Sequence, residues 1–281
     1  MINKKYQKSL RDKVIFLNNK FIYNEISKRI TDSLDLINIK FSNILEIGIN
    51  DQEVFKFLIK KNPKASILRS DISTIKLHKQ NHKNKLFLDV DSWNLEKNTY
   101  DLIYSNFYIH LTNDFNMLLK NILNSLKPNG FFIATIPSPL NIYQLVRSMM
   151  QTDLDLYGGV FQRINPTINV ENLLSILQKH QYKIPLINLD KIVFKYNNFN
   201  NLLNDLRAMQ LTYCYDERSK KFEKKNYFEK LKKNYERNYF KEKKFILDTD
   251  FIVISGWKSH SSQQTPLKPG QAKNSLEDFI K

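Results

Sequence analysis

With 281 residues, 42% of them hydrophobic, the chain can bury one sizeable α/β core and carry additions to it. Its net charge of +16 points toward an acidic partner, with Lys- and Asn-rich composition as the competing reading, and no recognised nucleic-acid-binding motif accompanies that charge, so a nucleic acid is not the expected partner. The single cysteine, Cys214, excludes an intrachain disulfide, leaves no cysteine-built metal site to expect, and reads as a structural residue.

Residues 1–20 read as a basic, frayed arm with neither a secretory nor a transit leader, which fits a bacterial cytosolic protein. No run of roughly 18 apolar residues predicts a transmembrane helix, which leaves peripheral association with the inner membrane open. A helix follows at about 20–39, its apolar Ile26, Ile30, Leu34 and Leu36 recurring at helical spacing. Five parallel strands are expected near 43–48, 65–70, 86–89, 101–105 and 130–136, alternating with helices, so that a ligand would lie at their carboxyl ends.

The first strand runs into Glu46-Ile47-Gly48, and the second ends in Asp71, roughly 20 residues past that glycine, where an acid can hold ribose hydroxyls. Capping of the next helix by Asp71 or Ser73 is the competing reading. Ser138-Pro139 predicts a helix to about residue 150, followed by a loop over 151–169, a helix near 170–180 and a strand near 186–196. An insertion over about 198–243 follows. Its second half interleaves basic residues with Phe222, Tyr227, Phe228, Leu231, Tyr235 and Tyr239, either to grip an anionic partner or to pack on the domain. The last strand is expected at 245–257 and a polar tail from Ser259.

Four segments stand in order: Asn43 to Asp51, Leu86 to Asp91, Tyr100-Asp101-Leu102-Ile103-Tyr104-Ser105-Asn106, and Leu126-Lys127-Pro128-Asn129-Gly130. The series resembles the class I S-adenosylmethionine-dependent methyltransferases over most of residues 40–137. Leu206-Arg207-Ala208-Met209 and Gly256-Trp257-Lys258-Ser259-His260 extend the likeness to the group containing the complex I assembly factor 5 type and its relatives, the malonyl carrier-protein methyltransferases of biotin synthesis.

The resemblance implies a Rossmann-like α/β fold: a mostly parallel seven-stranded sheet with helices on both faces and a helical insertion before the last strand. It divides the chain into an N-terminal arm and helix (1–39), a methyltransferase-like domain (40–197 and 245–258), the insertion (198–244) and the tail (259–281). S-adenosylmethionine is the implied cofactor, with Glu46 and Gly48 toward its methionine portion, Asp71 and Ile72 at the ribose, Asp89 and Val90 at the adenine, and Asn106 beside the sulfonium. His110 is the implied base or substrate-orienting residue, with satisfaction by backbone as the competing reading.

The implied partner is a protein substrate or complex I subunit with an acidic surface, or else an acyl carrier protein. For eukaryotic members the attributed activity is arginine hydroxylation. The glycine-rich turn is reduced to Gly48-Ile49-Asn50-Asp51-Gln52, where Asp51 would weaken cofactor binding and Asn50 would tolerate a left-handed turn. A cofactor-free binding scaffold is therefore the third expectation.

Overall fold

The computed structural model describes residues 1–14, 21–50, 52–219, 223–261 and 263. Asp51, Lys220, Lys221 and the tail beyond residue 263 lie outside the described residues. The elements run α1 (Lys4–Val14), α2 (Phe21–Asp35), β1 (Asn43–Ile47), α3 (Glu53–Lys61), β2 (Ser66–Asp71), α4 (Thr74–His78), β3 (Lys85–Phe87), β4 (Tyr100–Asn106) and α5 (Phe115–Ser125). They continue β5 (Leu126–Pro137), α6 (Tyr143–Tyr157), α7 (Val170–Lys179), β6 (Lys183–Tyr196), α8 (Phe199–Ala208), α9 (Tyr227–Tyr239), β7 (Phe240–Lys241) and β8 (Lys244–Trp257).

The strands lie in the order β3-β2-β1-β4-β5-β8-β6, with β7 paired to β8. The first five are parallel, while β8 is antiparallel to both β5 and β6. This is the expected Rossmann-like sheet with eight strands instead of seven. The extra strand is the two-residue β7, which forms a hairpin with β8 and is too short to leave a period in the sequence.

Alternation along the central strands splits the core between the two faces of the sheet. Ile44, Leu102, Tyr104, Phe131 and Ile133 join the cluster built with α2, α3, α6, α8 and α9. Leu45, Ile47, Ile103, Phe132 and Ala134 join the one built with α5 and α7. The insertion helices belong to the first cluster through Phe199, Leu202, Leu206, Leu231 and Tyr235, so they fold as part of the core. Among the described side chains, α1 contributes no residue to either cluster.

Two local expectations change. The helix expected from Ser138 begins only at Tyr143, because the Ser138 hydroxyl accepts from Leu140 N–H and closes a turn, and Ile142 enters the helix with a left-handed φ of 51°. It then continues to Tyr157 through part of the expected loop and stops at Gly158, whose φ is 70°. The Gly256-Trp257-Lys258 block has a structural account. A Cβ at Gly256 would come within 2.9 Å of the Tyr182 ring, Trp257 packs on Phe131 with centroids 4.5 Å apart, and Lys258 Nζ donates to the carbonyls of Asn124 and Leu126 where α5 ends.

Candidate functional site

The carboxyl ends of β1, β2 and β4 meet around Gly48, which has a φ of 80° and donates its N–H to the Ser70 carbonyl at 2.8 Å. The glycine serves an aromatic ring: a Cβ there would lie 2.1 Å from Cγ of the buried Tyr108. The Arg11 guanidinium also stands over that ring, 4.3 Å from its centroid. Tyr108 is therefore in contact with both the turn and α1.

Arg11 comes from α1 and is fully buried. It forms a two-pronged ion pair with Asp71, through Nε to Oδ1 at 2.8 Å and Nη2 to Oδ2, and it also donates to Gln210 Oε1 at 2.8 Å and Asn50 Oδ1 at 3.3 Å. Asp71 accepts in addition from Ile49 N–H at 2.9 Å and Ser73 N–H at 2.8 Å. Each carboxylate oxygen thus holds two donors, which fills its acceptor capacity. Burial alone would raise the Asp71 pKa, but Arg11, Lys76 and the Ser73 amide outweigh it and hold the group below the usual carboxylate range. Capping of α4 falls to Ser73, whose hydroxyl accepts from Lys76 N–H.

Asn50 does not adopt the left-handed backbone expected of it and has no positive φ. Its side chain staples the turn instead, with Nδ2 donating to the carbonyls of Asn106 and Phe107 while Oδ1 accepts from Lys76 Nζ at 3.1 Å. Lys76 Nζ also reaches the Ile49 carbonyl at 2.5 Å. The turn is thus held by side chains as well as by backbone.

The remaining expected residues divide between the cleft and its supports. Glu46 lies opposite Arg69 in the β1–β2 register and is gripped by that guanidinium through both oxygens, while the same guanidinium donates to Gln52 just after the turn. Ile72 and Val90 are buried in the second apolar cluster. Asn106 braces three elements: Nδ2 donates to the Tyr23 carbonyl at 3.2 Å and Oδ1 accepts from Thr135 Oγ1 at 2.8 Å. Asp89 pairs with Lys4 Nζ at 3.1 Å, and the same ammonium reaches Asp91 at 2.7 Å.

His110 packs edge-on against Phe107, with both ring nitrogens buried and without a hydrogen-bond partner. Burial first, and the Arg11 charge second, push its pKa down to about 3, so the imidazole is neutral at physiological pH and a poor proton acceptor in this arrangement. Gln7 Oε1 and Gln210 Nε2 are also buried without partners. Each such orphan costs about 1–3 kcal/mol, so the seat of α1 is imperfectly satisfied.

The arm expected to fray is therefore the element that closes the cleft. Lys4, Gln7 and Arg11 recur at one-face helical spacing, a polar periodicity that marks the inward side of the helix in the sequence. A short ribbon holds its start: Ile2 pairs with Tyr215, Asn3 N–H donates to the Cys214 carbonyl at 2.8 Å, and Asp216 N–H donates to the Met1 carbonyl at 2.9 Å. Residues 163–165 continue the ribbon on the far side of 211–213. Cys214 is buried in it, and burial raises its thiol pKa, as suits a structural cysteine.

The acids that would hold a nucleoside cofactor are thus present at consecutive strand ends, but with α1 docked they do not fit one. The four acceptor positions of Asp71 are filled, Asp89 is paired with Lys4, and Tyr108 occupies the space above Gly48.

A family model described as a methyltransferase domain matches residues 10–186, more than half of the chain. The arginine-hydroxylase NDUFAF5, mitochondrial, of Dictyostelium discoideum is 26% identical over 283 residues, covering 92% of this chain, which spans only 64% of that relative. The malonyl-[acyl-carrier protein] O-methyltransferase of Xylella fastidiosa is 20% identical over 208 residues, covering 71% of this chain and 68% of that protein. Among solved structures, the YcgJ protein from Bacillus subtilis superposes with a TM-score of 0.54 at 10% identity, covering 84% of this chain and 99% of that one, a likeness of fold.

Proposed function

Because this chain belongs to the methyltransferase-domain family, we propose that it serves the assembly or modification of respiratory complex I, acting on a protein subunit with an acidic surface and taking S-adenosylmethionine as its cofactor. The observation that carries the reading is the reach of its likeness to the Dictyostelium arginine-hydroxylase NDUFAF5 across 92% of the chain, well beyond the 71% shared with the malonyl carrier-protein methyltransferase. The strand-end acids Asp71 and Asp89 support a nucleoside cofactor. When bound, that cofactor supplies an activated methyl on sulfur, so the protein's task would be to orient donor and acceptor. Since the closed cleft does not fit it, no catalytic step is assigned to these residues here.

The protein works in this reading from the bacterial cytosol or peripherally at the inner membrane. Among the described residues no helix is long and apolar enough to cross a membrane. A deletion strain tests the function. Loss of assembled complex I with growth independent of biotin is the expected outcome, whereas normal complex I with a new biotin requirement would transfer the assignment to the carrier-protein methyltransferases.

A further inference from the structure

We propose that α1 and the nucleoside cofactor are alternative occupants of one cleft, so that the helix must leave before S-adenosylmethionine binds. The inference rests on the cofactor reading above and adds to it the means by which entry is controlled. Its basis is a one-to-one match. The acid at the end of β2, Asp71, is held by Arg11, and the acid following β3, Asp89, is held by Lys4 at 3.1 Å. Asp12 accepts from the Ser73 hydroxyl beside Asp71, and Gln7 Nε2 donates to the Leu111 carbonyl at 3.3 Å. A ribose that donated to Asp71 would have to displace the Arg11 guanidinium, since every acceptor position on that carboxylate is used.

Three features separate an exchangeable latch from a permanent part of the core. Among the described side chains of α1 the buried ones are polar, Gln7 and Arg11, and none of them joins either apolar cluster. Its attachment is thus electrostatic, and Lys4 is partly exposed to water, where screening weakens an ion pair. Its seat also leaves Gln7 Oε1 and Gln210 Nε2 buried and unpartnered, the mark of a surface that can be satisfied better in another state. Elements held by few apolar contacts open at lower free energy than the core, and α1 meets that description. When α1 departs, Arg11 leaves the Tyr108 ring, so the ring above Gly48 loses its cation in the same event.

Competition of this kind lowers apparent affinity by the fraction of open molecules, and weakening the latch restores it. The test is calorimetric titration of the full chain with S-adenosylmethionine, for the wild type, Lys4→Gln and Arg11→Gln, with Asp71→Asn added to the Lys4→Gln variant. Weak binding by the wild type is expected, with tightening of at least about fivefold in Lys4→Gln, on the order of tenfold or more in Arg11→Gln, and loss when Asp71→Asn is added. Should Arg11→Gln fail to fold, Lys4→Gln still decides the matter, because its side chain is partly exposed. Binding that Lys4→Gln leaves unchanged or weakens would overturn the latch while leaving the cofactor reading in place. No binding by any variant at millimolar ligand would overturn the cofactor reading, and the latch with it.

Discussion

At the scale of single residues, Gly48 is kept for reasons of packing as much as of chain conformation. A methyl group there meets Tyr108 at 2.1 Å and must adopt a φ of 80°, so Gly48→Ala should cost at least about 2 kcal/mol in urea unfolding, with part of the loss recovered when Tyr108 is also changed to Ala. Arg11 and Asp71 make a wholly buried ion pair. Arg11→Met leaves the carboxylate without its main partner and should destabilise the chain by about 3–5 kcal/mol, while Asp71→Asn in the same chain should return some of it. His110 gives a pH signature. Its pKa of about 3 in the folded state lies below the ordinary 6.5, so the unfolded chain binds the extra proton between those values. Its contribution to stability is intact above about pH 6.5 and declines as the pH falls toward 3, by at most about 1.4 kcal/mol per pH unit. His110→Gln should flatten this acid limb of the stability curve, and an unchanged limb would assign it to other groups.

At the scale of elements, the loop after α6 is fixed to the structure around it by one side chain. Arg163 pairs with Asp153 of α6, whose side chain is fully buried, and with Glu223, and it stands 4.4 Å over the Tyr227 ring at the start of α9. Arg163→Met should therefore lower stability by about 3 kcal/mol and increase proteolysis within 158–169, although the backbone bond from Tyr213 N–H to the residue 163 carbonyl would remain. What the sequence disclosed at this scale follows from chemistry. The strands β1, β4 and β5 are buried on both faces and read as near-continuous apolar runs. Asp71 was legible because an acid at a strand end is sparse and positioned. Helix α1 was not, because its inward Lys4 and Arg11 look like the other cations of a chain with 44 Lys and Arg, and Gln7 is one more polar residue between them. The shift of the α6 start was equally hidden: Ser138 can cap a helix or close a turn, and the choice is set by β8, which receives Ser138 N–H at the Asp250 carbonyl.

At the scale of the whole molecule, the net charge of +16 is unevenly committed. Lys4, Arg11, Arg69 and Arg163 are engaged with acids, and Lys224 leans over the Tyr157 ring while donating to the Leu156 carbonyl. Lys225, Lys233 and Arg237 are exposed along and just before α9. If the partner is acidic, changing these three to Glu should slow association and reduce its salt dependence while leaving the melting temperature within about a degree or two, as measured by stopped-flow mixing and calorimetry. Unchanged association would move the partner surface elsewhere.

If α1 shares its place with the nucleoside, the two cannot be bound together. Hydrogen exchange of the full chain, with and without saturating S-adenosylmethionine, measures this directly. Amides of residues 4–14 should lose protection when the ligand binds while those of β1 and β4 keep theirs. Protection of α1 that is unchanged or increased at saturation would contradict it.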